Sequence, residues 1–126
     1  MSEKRAYTLE FPIRTNAKIL YDFISTSHGL SQWFADHVDN NDGTYVFTWD
    51  GNDNTAKIVE VKAPEFIRFK WEDSAEGEYF EFKIIKNEIT GDTALVITDF
   101  AAENEKEEQK LLWDSQINTL TLRIGG

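Results

Sequence analysis

The chain has no cysteine, which removes disulfides, thiolate metal sites and cysteine nucleophiles together. It has two histidines, His28 and His37, so general acid–base chemistry would rest on them or on a carboxyl group with a raised pKa. Basic residues are few: 13 Lys and Arg against 23 Asp and Glu give a formal net charge of −10 at pH 7. A surface of that sign repels phosphate backbones and anionic lipid headgroups, which argues against a nucleic-acid partner and against membrane-surface attachment. No stretch approaches the roughly 18 apolar residues of a membrane span. The opening MSEKRAYTLEF also lacks the apolar run of a signal peptide. The expectation is a cytoplasmic protein with no membrane span.

Aromatic side chains, by contrast, are plentiful: nine Phe, four Tyr and four Trp among 126 residues. That length suits one domain, residues 1–126, since domains run to roughly 100–200 residues. Such a domain buries about two thirds of its unfolded surface, so the rings can form a sizeable core. They also exceed what one small core obviously needs.

Hydrophobic periodicity divides the chain into elements. Tyr7, Leu9, Phe11 and Ile13 alternate with polar residues as in a half-buried strand, and Pro12 assigns that strand to a sheet edge. Thr15 is placed to cap a helix in which Ile19 and Phe23, and Leu20 and Ile24, recur at i+4. Ser27, His28 and Gly29 interrupt it, and Leu30, Trp33 and Phe34 give a second short helical face. Asn40 to Gly43 read as a turn. Tyr45, Phe47 and Trp49 then follow at strand period, and Asp50 to Asn54 turns the chain into the run around Ile58, Val59 and Val61, which Pro64 ends. Ile67, Phe69 and Trp71 make the cleanest strand; Phe80, Phe82 and Ile84 make another; a last strand begins at Leu95 to Ile97 after the Asn87–Asp92 turn. Asn104 and Glu107 resemble a capping pair. Beyond them Trp113, Ile117, Leu120 and Ile124 form one apolar stripe, with Gly125 as a stop. Short connections imply antiparallel pairing. The terminal helix is the only long amphipathic element available to cover the sheet. The expected fold class is α+β, a curved antiparallel sheet wrapped around a long C-terminal helix, with two short helices after the first strand.

This order, together with the segment His28-Gly29-Leu30-Ser31-Gln32-Trp33-Phe34-Ala35-Asp36-His37-Val38, resembles the START-like (SRPBCC) superfamily, whose architecture is the helix-grip fold. Within it the chain resembles the branch related to the activator of the heat-shock-protein-90 ATPase, through the Trp33-Phe34 pair after the first helix and Trp113 near the start of the last. The resemblance covers nearly the whole chain. It implies an apolar cavity between sheet and last helix, which in many similar proteins holds lipids or other hydrophobic small molecules. The last helix stops at Gly126, which implies a more open mouth. The Asp50–Asn54 turn holds a single glycine, unlike the glycine-rich loop of some ligand-binding relatives, so no ligand class carries over.

Two readings of the aromatic set Trp33, Phe47, Trp49, Phe69, Trp71, Phe80, Phe82 and Trp113 stay open. Core packing explains rings at strand period. The functional reading is a ligand-binding cavity walled by Trp33, Phe47, Trp49, Phe69, Trp71, Phe82 and Trp113, with Gln116 as a polar group one turn after Trp113. No metal site is expected from Asp36, His37 and Asp39: in an extended segment the adjacent residues Asp36 and His37 point to opposite faces and do not converge. Asp50 to Asn54 lacks the glycine and glutamate placement of a calcium loop. No catalytic constellation, phosphate loop or cofactor motif is present. The acidic run Glu103, Glu105, Glu107 and Glu108 is a solvated helix face, paired at i, i+3 as Glu103–Lys106 and Glu107–Lys110, or a docking site for a basic protein. The leading expectation is non-enzymatic binding of a hydrophobic small molecule or lipid. The alternatives are a chaperone-accessory interaction module and a cyclase- or hydrolase-type enzyme.

Overall fold

The computed structural model describes residues 3–125; Gly126, on which the more open mouth rests, lies outside them. The chain runs β1 (Lys4–Ile13), α1 (Ala17–Ser25), α2 (Ser27–Leu30), β2 (His37–Asn41), β3 (Thr44–Trp49), β4 (Asn52–Lys62), β5 (Phe66–Trp71), β6 (Phe80–Lys86), β7 (Thr93–Ala102) and α3 (Lys106–Ile124). The strands form one antiparallel sheet in the order β1-β7-β6-β5-β4-β3-β2. Short turns make β2 to β7 a meander. The α1–α2 segment carries the chain from the β1 edge to the opposite edge, where β2 begins. Pro12, opposite Ala94, sits on the edge strand, where proline is tolerated.

Alternation decides which side is covered. Tyr45 and Phe47, Ile67 and Phe69, Phe80, Phe82 and Ile84, and Leu95 and Ile97 are all buried on one face. The extra residue Val59, between the pairs Ile58–Phe69 and Glu60–Arg68, bulges β4 and bends the sheet. α3 lies over the bent face with Trp113, Ile117 and Leu120 buried, while Leu111, Leu112 and Leu122 stay exposed. The fold is the expected α+β helix-grip arrangement.

Local details differ from the sequence reading. Asn16, not Thr15, caps α1, its Oδ1 accepting the Ile19 N–H at 2.8 Å. The interruption falls at Thr26, which is extended, and Ser27, His28 and Gly29 themselves build α2, because Thr26 Oγ1 accepts the Gly29 N–H at 2.8 Å and starts a new helix. Gly29 permits α2 to abut α1: a Cβ there would lie 2.1 Å from Asp22 O. Trp33 and Phe34 follow in the succeeding turn, with the Phe34 N–H donating to Leu30 O at 2.9 Å. Asn40 and Asn41 belong to β2, and the turn is confined to Asp42 and Gly43, both at positive φ as a two-residue hairpin turn requires. The last strand starts at Thr93, two positions before Leu95. Asn104 and Glu107 do not cap α3, because a tight turn closed by the Glu105 N–H on Ala102 O (2.9 Å) moves the helix start to Lys106. Glu103 therefore precedes the helix and has no ion pair with Lys106, whereas Glu107 meets Lys110 at 3.8 Å.

Candidate functional site

Strand direction collects the tryptophans. β3, β5 and β7 run the same way, so their C-terminal ends share one end of the sheet. Trp49 ends β3, Trp71 ends β5 and Asp99 lies near the end of β7. The turn after α2 reaches this end with Trp33, Phe34 and Asp36. The first half of α3 covers it with Gln109, Leu112, Trp113 and Gln116. These ten residues line an open-mouthed cavity of about 440 Å³, within the roughly 300–1,000 Å³ range of small-molecule sites. Exposed Leu112 and Asp36 stand at its rim. A larger hollow of about 520 Å³ at the other end of the sheet, between Pro12–Thr15 and Gly91–Thr93, has no aromatic lining.

Of the residues expected on the wall, Trp33, Trp49, Trp71, Trp113 and Gln116 line the cavity. Phe47, Phe69 and Phe82 lie one layer deeper and are fully buried. Phe34 is the reason for two of them: its ring sits 5.1 Å from Phe47 and 5.5 Å from Phe82, edge-on to both, and fills the space above them. Phe69 is covered by Tyr45 at 4.9 Å and Phe80 at 5.0 Å. Phe34 also stacks on Trp113 at 5.7 Å and 14° and meets Trp49 edge-on at 5.2 Å. Core packing and cavity wall are thus two layers of one aromatic assembly.

The indole N–H groups are mostly spent inside the protein. Trp33 Nε1 donates to Phe23 O at 2.8 Å, Trp49 Nε1 to Phe34 O at 2.7 Å and Trp113 Nε1 to Asp99 Oδ2 at 3.2 Å. Gln116 Nε2 donates to the same Phe34 carbonyl at 2.9 Å, so its amide fastens the turn to α3. What these three tryptophans offer the cavity is ring carbon.

One wall is polar. Asp99 continues the inward series Leu95, Ile97 of β7 and pairs across the ladder with Tyr7 of β1. Its Oδ1 accepts the Phe100 N–H at 2.8 Å. Burial holds its carboxyl above the ordinary value of 3.8, although the hydrogen bonds from Phe100 and Trp113 and the charge of Lys4 pull the other way. Tyr7 donates its hydroxyl to Gln109 Oε1 at 2.7 Å. Burial and the nearby Asp99 charge push that phenol well up, so it stays a donor.

The histidines stand apart. His28 is exposed on α2, and His37 Nε2 meets Asp39 Oδ1 at 3.3 Å on the surface. Asp36 turns away from both, accepting the Asp50 N–H at 2.8 Å. That bond holds the hairpin turn at Asp50 and Gly51, both at positive φ.

Phe34, Asp36, Asp99, Gln109 and Leu112 were not among the expected wall residues. Two had a signal in the sequence. Carrying the Leu95–Ile97 alternation two residues further puts Asp99 on the apolar face, and carrying the α3 stripe back one turn from Trp113 reaches Gln109.

A bent antiparallel sheet gripping a C-terminal helix, with a tryptophan-walled cavity between them, defines a helix-grip protein. The START-like superfamily domain matches residues 1–126, and the chain belongs to that superfamily. It is 43% identical to BfR322 from Bacteroides fragilis, whose solution NMR structure superimposes with a TM-score of 0.68 over 100% of this chain and 93% of that one. The Aha1 dimer from Colwellia psychrerythraea shares the fold at 14% identity and a TM-score of 0.77, covering 93% of each chain. CalU16 from Micromonospora echinospora does so at 16% identity and 0.72, covering 97% of this chain and 75% of that one. No curated protein matches. Among the described residues no helix is long and apolar enough to cross a membrane.

Proposed function

We propose that the protein binds a hydrophobic small molecule or lipid in the cavity between the sheet and α3. The observation that carries this reading is the cavity of about 440 Å³ onto which all four tryptophans of the chain converge. A ligand burying about 250 Å² of apolar area there gains about 6 kcal/mol at ~25 cal/mol per Å². Association costs about 4 kcal/mol or more, so the polar wall has to supply part of any tight affinity.

Titration with 1-octanol tests this directly. The expected result is a saturable shift in tryptophan emission, with amide shift changes confined to the residues around the cavity. An unsaturable response, or changes spread over the exposed face of α3, would overturn it.

A second reading, an enzyme using Asp99 as acid or base, is favoured by the carboxyl raised above its ordinary range on the cavity wall. Both oxygens of Asp99 already accept hydrogen bonds from fixed donors. This suits a carboxylate that supplies charge better than one that relays a proton, so binding is the reading adopted.

A further inference from the structure

Charge on the cavity wall has one sign. Its ionisable members are Asp36 and Asp99, and among the described residues lining it there is no lysine, arginine or histidine. The rest of the wall is ring carbon, the indole N–H of Trp71, two carboxamides and one leucine. Indole faces carry negative electrostatic potential and attract cations, most strongly when water is excluded. Because the N–H groups of Trp33, Trp49 and Trp113 are bound inside the protein, they are not free to donate to an anionic head. Lys4 approaches Asp99 from the adjoining polar cleft of Asp73, Ser74 and Glu78, outside this cavity. The net charge of −10 adds a long-range field of the same sign.

We infer that the ligand is an organic cation, an ammonium head on an apolar body, with the head among the tryptophan rings and facing Asp99. This rests on the reading that the cavity takes a hydrophobic ligand, and it adds the charge of that ligand. The head sits where Trp49, Trp71 and Trp113 adjoin Asp99, and the chain points toward Leu112 at the rim.

The experiment compares three eight-carbon probes on the intact protein by calorimetry and tryptophan emission: octyltrimethylammonium, 1-octanol and octanoate. The ammonium is expected to bind about tenfold tighter than octanol, with octanoate the weakest, and added salt should weaken only the ammonium. Asp99→Asn should reduce the ammonium-to-octanol ratio to below about threefold. Asp36→Asn, at the exposed rim, should reduce the ratio by a smaller factor and serves if the first variant does not fold. Equal affinities for ammonium and octanol, or octanoate binding best, overturn the cation inference while leaving hydrophobic binding standing. Failure of all three probes to bind overturns both.

Discussion

The indole Nε1 of Trp113 donates to Asp99 Oδ2 at 3.2 Å, tying the covering helix to the one carboxylate on the inner face of β7. That bond lowers the carboxyl's pKa against the larger effect of burial, which raises it. Trp113→Phe keeps a ring in the stack with Phe34 and removes the donor. Asp99 should then titrate at higher pH than in the wild type, as followed by the side-chain carboxyl carbon in NMR. An unchanged or lower titration point would show that the indole does not hold the carboxylate.

Phe34 is buried, although it lies in a turn rather than in a helix or strand, and its ring separates the cavity from the layer of Phe47 and Phe82. Truncating a buried phenylalanine costs about 3–5 kcal/mol through lost transfer energy and the void left behind. Phe34→Ala should fall in that range in urea unfolding. A loss below about 1 kcal/mol would mean that the neighbouring rings collapse into the gap.

Gly29 sets how closely α2 meets α1. A methyl group there faces backbone atoms, Asp22 O at 2.1 Å and Phe23 Cα at 2.7 Å, so no side chain can swing aside to admit it. Gly29→Ala should cost about 1–3 kcal/mol in thermal unfolding, as overpacking does. It should also move the Trp33 indole resonance, because the Trp33 bond to Phe23 O spans the same junction. A variant as stable as the wild type, with that resonance unmoved, would count against the close approach.

The layout of strands and helices was legible because its signals are local. Tyr45, Phe47 and Trp49 at period two, and Trp113, Ile117 and Leu120 at helical spacing, need no knowledge of partners. β2 was not legible: Asp39, Asn40 and Asn41 are turn formers by composition, and only pairing with β3 keeps them extended. The tryptophans stood out in the sequence, but their spacing alone did not separate a cavity wall from core packing. The depth of the wall was not legible, because Phe47 and Phe82 share the periodicity of Trp49 and Phe80, and only the long-range insertion of Phe34 puts them behind the wall. Glu103 was misread for a related reason. Its spacing to Lys106 is helical, but the turn after β7 delays the helix past it.

Asp99 is where stability and binding pull apart. Its folded-state carboxyl sits above the ordinary value, chiefly through burial, with Glu78 adding to the effect and Lys4 of β1, the Phe100 N–H and Trp113 of α3 opposing it. Tyr7 faces it from β1 as a neutral phenol. A carboxyl whose pKa is raised on folding binds more protons in the folded chain than in the unfolded one. Stability therefore falls as pH rises from the ordinary value of 3.8 through the raised one, and stays reduced above it. Asp99→Asn removes that titration and leaves the other groups in place. The melting temperature of the variant minus that of the wild type should accordingly grow more positive between about pH 4 and neutrality, in thermal unfolding at matched ionic strength. A difference that stays flat, or that falls with pH, would show that folding does not strain this carboxylate. A growing difference, together with loss of ammonium selectivity in the same variant, would identify Asp99 as a group held at a cost to the fold for the sake of the ligand.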